Sequence, residues 1–331
     1  MKIVFFEVEN WEEEYLKKSF PSAGFFDSPL TQAKIKKVKD AEIISVFIYS
    51  KLDEAKLKRL PNLKMIVTRS TGFDHIDLNY CQKNKITITN VPTYGENTVA
   101  EFAFALILAI SRKIIPAVER AKTGDFNLTG LRGFDLRAKT IGIVGTGSIG
   151  EHMARMAVGF EMKILGFDLK QNPELAKKFG LKYTRNLEEL FASSDIISLH
   201  LPLNEHTQHI VNKELMEKTK HGAILINTAR GGLVDSEDLM WALDNNIFAA
   251  AGLDVLEEEP LILEERELLH HNYKSEELKS FICEQMLLRH PKVLVTPHNA
   301  FNSHEALQRI LDVTVSNIKN FVSRHERNIV Q

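Results

Sequence analysis

Cysteine is nearly missing from this chain, and the two present, Cys81 and Cys283, stand too far apart in sequence to show any paired spacing. Neither a disulfide framework nor a zinc site is indicated, and a reducing compartment follows. Charge of one sign is also lacking. The 42 Lys and Arg nearly cancel the 44 Asp and Glu, for a net −2, so no basic stripe is available for a phosphate backbone and nucleic acid is not expected as a ligand. No long hydrophobic run occurs either. The most apolar segment, residues 99–110, contains Glu101 and falls short of the roughly 20 residues that cross a bilayer, so it reads as a buried helix and no membrane partner is expected. The start, Met-Lys running straight into Ile3-Val4-Phe5-Phe6, has no signal-peptide pattern, and a cytoplasmic location is expected. Metal-ligand spacing is absent too: His270 and His271 are adjacent, project to different sides of most backbones, and read as part of a solvated helical excursion over residues 261–291.

What is present is enough apolar material, 44% of 331 residues, for two globular domains. Over residues 1–91, apolar strands at 3–6, 41–48, 63–68 and 85–89 alternate with helical patterns at 10–20 and 53–59, which makes a parallel sheet covered by helices. Residues 95–115 read as one long helix, apolar on nearly every side after a polar start. Such a helix must be covered all round, so it is expected between domains or against a second copy, and a homodimer through it is anticipated. Residues 122–139 read as a surface loop.

The stretch from residue 139 to 168 organises the rest. A β-branched run at residues 140–144 breaks at Gly145-Thr146-Gly147-Ser148-Ile149-Gly150, the pattern G-x-G-x-x-G. Gly145 suits the tight turn, Gly147 lets a pyrophosphate approach bare backbone, and Gly150 lets the following helix, residues 149–160, pack closely on the strand. That helix aims its free N–H groups and positive dipole end at the phosphates. A second strand at residues 163–167 ends in Asp168, whose carboxylate can accept both ribose hydroxyls and repels a 2′-phosphate. NAD is therefore favoured over NADP, with Lys170 as a weaker argument the other way. Further strands at 196–201, 223–227, 249–254 and 293–295 bring the count to six, that of a dinucleotide-binding sheet.

In such sheets ligands meet the carboxyl ends of the strands. Here those ends carry Thr228-Ala229-Arg230-Gly231-Gly232, then Asp254 followed by Glu257-Glu258-Glu259-Pro260, then Thr296-Pro297-His298. Each residue alone has a bland reading as a turn or surface group, but together they suit reduction of a 2-keto acid. Arg230 can fork onto a carboxylate and polarise the ketone. His298 can protonate the emerging alkoxide, and a Glu259 carboxylate beside it would favour the imidazolium.

The order G-x-G-x-x-G, Asp, T-A-R-G-G, L-D-V-x-E-x-E-P, T-P-H resembles the D-isomer-specific 2-hydroxyacid dehydrogenases, and within them the D-lactate dehydrogenase branch. Residues 45–52 (SVFIYSKL), 69–77 (RSTGFDHID) and 91–101 (VPTYGENTVAE) strengthen the likeness. The resemblance implies two doubly wound α/β domains, a flavodoxin-like substrate domain of residues 1–98 and 300–331 and a Rossmann-type NAD domain of residues 99–299, closing on each other by a hinge. It implies that Arg230 binds substrate, that Glu259, five residues past Asp254, orients the acid, and that His298 is the acid/base. It implies a substrate pocket lined by Tyr49, Thr71, Gly72, Tyr94, Arg230, His298 and Phe301. For the cofactor it implies contacts from residues 145–150, Asp168, the loop His200-Leu201-Pro202, Thr207, Thr228, Ala229, Arg230, Asp254 and His298. No metal is implied.

One departure bears on substrate. Lactate-type enzymes usually carry two aromatics after T-P-H-x-A, whereas this chain has Phe301-Asn302. Pyruvate and D-lactate are therefore the expected pair, with bulkier keto acids such as 2-ketoisocaproate or phenylpyruvate as the alternative. A corepressor that senses NAD(H) on the same fold is the alternative from another class. Such proteins carry long extensions that are not visible here.

Overall fold

The computed structural model describes residues 1–257, 275–325 and 327–330, which divide into two units, residues 1–95 with 302–331 and residues 96–301.

In the first unit, β1 (Ile3–Phe5), β2 (Gly24–Phe25), β3 (Ile43–Val46), β4 (Met65–Thr68) and β5 (Thr87–Thr89) pair in parallel in the order β2-β1-β3-β4-β5. This is the flavodoxin-like order. Successive side chains go to opposite faces, as a pleated strand requires. Val4, Ile44, Ile66 and Ile88 face one core, while Phe5, Ile43, Met65 and Val67 face another. The second core is closed by Leu16 of the helix Asn10–Ser19 and by Leu311, Val315 and Ile318 of the helix His304–Val322, whose start is capped by Ser303. Leu311 and Ile318 are fully buried, so each stabilises the unit by about 1.5–3 kcal/mol. Strand β2 is an addition to the four expected. Two residues are too short to show alternation.

In the second unit, β6 (Thr140–Val144), β7 (Lys163–Phe167), β8 (Lys182–Tyr183), β9 (Ile196–Leu199), β10 (Ala223–Asn227), β11 (Phe248–Leu253) and β12 (Val293–Val295) form a parallel sheet in the order β12-β11-β10-β9-β6-β7-β8. Counted from β6, this is 3-2-1-4-5-6 with one strand more, and it reverses between β6 and β9. The seventh strand beyond the six expected is the short edge β8, paired to Leu165 and Gly166.

Two expectations are corrected. The single helix over residues 95–115 is two helices, Glu96–Ser111 and Ile114–Lys122, separated at Lys113, whose φ of +54° no α-helix tolerates. The first packs on β10, β11 and the helix Ser148–Gly159, burying Ala100, Ala103, Phe104, Leu106 and Ile107. The second helix buries none of its residues. Part of the expected solvated excursion is likewise a packed helix, Ser275–Arg289, which lies against Ser236–Asp244 and buries Glu284 and Leu287. His270 and His271 lie outside the described residues.

Candidate active site

At the reversal of the second sheet the backbone leaves β6 through Gly145, at φ +93°. A Cβ there would stand 2.5 Å from the carbonyl oxygen of His200, just past β9, so any side chain would force the two strand ends apart. A Cβ on Gly150 would stand 2.2 Å from the Gly145 oxygen, whereas one on Gly147 would meet nothing within 4 Å. Two glycines thus let the turn and helix pack, and the third leaves open backbone at the N-terminus of Ser148–Gly159. A pyrophosphate fits such bare, donor-rich backbone.

Asp168, expected to meet the ribose, is fixed by two backbone amides. Its Oδ2 accepts from the Thr146 amide at 2.7 Å and its Oδ1 from the Lys170 amide at 2.9 Å. Lys170 therefore serves here through its backbone. The Thr146 hydroxyl lies 2.9 Å from the Tyr183 hydroxyl, which also accepts from the Asn172 amide at 3.0 Å. Tyr183 escaped sequence reasoning because it sits in the two-residue strand β8.

On the other side of the reversal, Ser198 Oγ lies 2.9 Å from His200 Nε2. Nδ1 of the same ring is buried with no hydrogen-bond partner among the described residues, and burial pushes the imidazole down to about 3. After Leu201-Pro202, the Thr207 hydroxyl donates to the Pro202 carbonyl at 2.7 Å and accepts from the Asn204 amide at 2.8 Å, closing this loop on itself.

The three neighbouring ends of β10, β11 and β12 carry Arg230, Asp254 and His298. Buried Asn227 ends β10. Its side chain accepts from the Ala229 amide at 3.0 Å and donates to the Arg230 carbonyl at 2.8 Å, fixing the turn that presents Arg230. Arg230 Nη1 donates to the Ala229 carbonyl at 2.7 Å, and the buried Thr228 hydroxyl has no partner among the described residues. Gly231 follows because nothing larger fits: a Cβ would lie 2.0 Å from the backbone carbon of Leu256.

Asp254, 1% exposed just past β11, is the anchor of the next loop. Its Oδ1 accepts from the Thr296 hydroxyl at 2.5 Å and the Asn299 amide at 2.8 Å, its Oδ2 accepts from the Ala300 amide at 2.8 Å, and its carbonyl accepts from the His298 amide at 2.8 Å. Burial pushes the Asp254 carboxyl up, against these hydrogen bonds and the nearby His298, which pull it down. The loop needs such holding, because His298 itself sits at φ +49°. Its ring meets Phe301 edge-on, with centroids 6.3 Å apart.

Of the acidic run, Glu257 is engaged by His209 Nε2 at 2.5 Å, with the Ser236 hydroxyl 3.4 Å away. Glu258 and Glu259 lie outside the described residues. Tyr49, Thr71, Gly72 and Tyr94 belong to the first unit, past the ends of β3, β4 and β5. There the Thr71 hydroxyl donates to the Val91 carbonyl at 2.9 Å, Asn90 donates to the Thr71 carbonyl at 2.8 Å, the Ser70 hydroxyl donates to the Gly72 carbonyl at 2.6 Å, and Arg309 donates to the Tyr94 carbonyl at 2.6 Å.

Residues 104–300 match the family described as D-isomer specific 2-hydroxyacid dehydrogenase, NAD binding domain. The chain is 36% identical to 2-hydroxyacid dehydrogenase homolog 1 of Schizosaccharomyces pombe, covering 98% of this chain and 97% of that one. It is 32% identical to the D-lactate dehydrogenase of Escherichia coli K12, covering 97% and 96%. Among solved structures it resembles D-lactate dehydrogenase from Aquifex aeolicus complexed with NAD and lactic acid, at 34% identity and a TM-score of 0.88 over 98% of this chain and 96% of that one. With its glycine turn, its aspartate and its two parallel sheets, the chain belongs to the NAD-dependent D-isomer-specific 2-hydroxyacid dehydrogenases.

Proposed function

We propose that the chain is a D-lactate dehydrogenase, reducing pyruvate to D-lactate and reversing that step. The observation that carries the reading is the pair Arg230 and His298, held past the ends of β10 and β12 by Asn227 and Asp254, with both supports buried. Bound NADH supplies the hydride. Arg230 takes the substrate carboxylate in a planar fork that also polarises the ketone. His298 gives its proton to the oxygen that becomes the alcohol and takes it back in oxidation. Glu259 is the residue that the family resemblance assigns to orienting this acid. Tyr49, Thr71, Gly72, Tyr94 and Phe301 are the further substrate-binding residues of this reading, in which the first unit acts as substrate domain and the second as cofactor domain. The D-lactate dehydrogenases among the relatives support pyruvate as the substrate. Asn302, where lactate-type enzymes usually have a second aromatic, supports the alternative of a bulkier 2-keto acid. Assay of a 2-keto acid panel with NADH and NADPH decides between them. Pyruvate with NADH is expected to give the highest kcat/KM. A higher value for 2-ketoisocaproate or phenylpyruvate selects the alternative, and no turnover of any keto acid refutes the enzyme reading in favour of an NAD(H)-sensing role.

A homodimer in the cytoplasm, serving fermentative reoxidation of NADH, completes the reading. Its support is the segment after Ser111, where Ile114, Ile115 and Val118 are 44–48% exposed and Phe126 and Leu128 are 81% and 79% exposed in the single chain. Apolar exposure on this scale marks a surface that another chain covers. Ile115→Glu with Phe126→Glu is expected to shift the protein from dimer to monomer in sedimentation.

A further inference from the structure

The first sheet also reverses its strand order, between β1 and β3, and a ligand crevice is expected at such a point. Here that point is filled from within. Glu7, two residues past β1 at φ +56°, turns its carboxylate onto the loop that follows β3. Oε2 accepts from the Phe47 amide at 2.5 Å, Oε1 accepts from the Ser50 hydroxyl at 2.6 Å, and the Tyr49 backbone adds a further hydrogen bond. Ser50 in turn accepts from the Leu30 amide at 2.9 Å. A single carboxylate thus supplies the acceptors for residues 47–50 where the sheet ladder has ended.

Arg69, just past β4 and 2% exposed, locks Glu7 in place. Its Nη2 donates to the carbonyls of Phe6 at 2.8 Å and Glu7 at 2.6 Å, and Nη1 donates to the Ser45 hydroxyl at 3.2 Å. The guanidinium is therefore bound to residues following β1 and within β3, and Glu7 and the buried Glu12 supply the opposing charge. Ends of three strands are tied together by one ion cluster. Burial of this kind is costly, and a cluster that only held the sheet would be replaceable by apolar packing. What the cluster does beyond packing is define the path of residues 47–50, at whose centre Tyr49 stands 45% exposed with its ring edge-on to Phe47.

We infer that Glu7 is a positioning residue for substrate binding, acting through Tyr49, with Arg69 as its support. The inference rests on the reading of Tyr49 as part of the keto-acid pocket. Loss of one Glu7 acceptor lets the loop drift, and the loss registers in substrate affinity, because ring positions displaced by about 1 Å forfeit much of a binding contact.

The test is a double-mutant cycle between Glu7→Gln and Tyr49→Ala in the full-length enzyme, with NADH affinity measured by fluorescence and pyruvate reduction by steady-state kinetics. Glu7→Gln is expected to raise KM for pyruvate about fivefold or more, with NADH affinity held within about twofold. In the Tyr49→Ala background the same change should move KM less than about twofold, because the side chain it positions is gone. Ser50→Ala, which keeps the Glu7 carboxyl but removes one of its donors, should give a smaller shift in the same direction and serves if Glu7→Gln fails to fold. A purely structural Glu7 would lower thermal stability without any dependence on residue 49. Effects of Glu7→Gln, or of Ser50→Ala in its place, that add fully to Tyr49→Ala, or an unchanged KM, overturn the role of Glu7 and leave the pocket reading standing. If Tyr49→Ala leaves KM for every 2-keto acid unchanged, the pocket reading of Tyr49 fails and this inference falls with it.

Discussion

Asp254→Asn is the sharpest test of how the site is built, because the family resemblance and the geometry assign that residue different work. The resemblance implies a contact with the nicotinamide amide. The geometry has both carboxylate oxygens taken up by the loop that carries His298, through Thr296, Asn299 and Ala300. An asparagine is nearly isosteric but offers one acceptor instead of two. Whichever way its amide is turned, its NH2 faces a backbone N–H that the carboxylate accepts from, that of Ala300 in one orientation and that of Asn299 in the other. A buried donor left without an acceptor costs about 1–3 kcal/mol, and replacing charge-assisted bonds by neutral ones costs roughly another 1 kcal/mol. If the loop recovers this by shifting His298 out of position, kcat/KM for the keto acid falls by about 30- to 1,000-fold at 1.36 kcal/mol per decade. NADH affinity, which this reading assigns mainly to residues 145–168, should change little. Steady-state kinetics give the first quantity and quenching of NADH fluorescence the second. A variant that keeps kcat/KM within about threefold but binds NADH tenfold more weakly refutes the anchoring role and restores the nicotinamide contact.

Other outcomes follow from the same geometry. Asp168→Ala should weaken NADH binding and narrow the preference against NADPH, since the carboxylate that repels a 2′-phosphate is gone; an unchanged ratio of kcat/KM for the two cofactors refutes this. Arg230→Lys keeps the charge but not the planar fork, and should lose at least about tenfold in kcat/KM for pyruvate, whereas a loss under threefold removes Arg230 from the carboxylate-binding role. His200, pushed down to about 3 by burial, stays neutral in the folded chain while the unfolded chain takes up a proton below about pH 6.5. Its contribution to stability is therefore lost as pH falls from about 6.5 toward 3, at about 1.4 kcal/mol per pH unit. His200→Gln should flatten that acid limb in urea unfolding of the cofactor-free protein, and coincident limbs would refute the assignment.

The parts of the fold and site that the sequence made legible are those whose requirement is local. Gly145, Gly147 and Gly150 can be placed from six consecutive residues because turn, open backbone and helix contact are all short-range demands. Most long strands could be read from their apolar runs for the same reason. What stayed hidden depends on contacts far away in the chain. Asp254 bonds to residues 42 to 46 positions later, and no pattern around it announces that. Asn227 looked like the polar end of a strand until its side chain was seen closing the Arg230 turn. The break at Lys113 falls at the polar triplet Ser111-Arg112-Lys113, which contains neither proline nor glycine, so the apolar residues on both sides carried the helix reading across it. Glu259, chosen by counting from Asp254, lies beyond the described residues and rests on that count alone.

The two sheets also show why one of them takes the dinucleotide, although both reverse their strand order. At the reversal of the second sheet the first residue past the strand is glycine, and its positive φ leaves the next amides unobstructed above the helix Ser148–Gly159. At the reversal of the first sheet the residue with positive φ is Glu7, so the backbone makes a comparable left-handed step while a carboxylate occupies the crevice. Its oxygens take up the amide and hydroxyl donors there. The first 90 residues lack a G-x-G-x-x-G, and at the reversal of their sheet a side chain stands where the second sheet has glycine. Past that carboxylate the loop continues to Tyr49, 45% exposed.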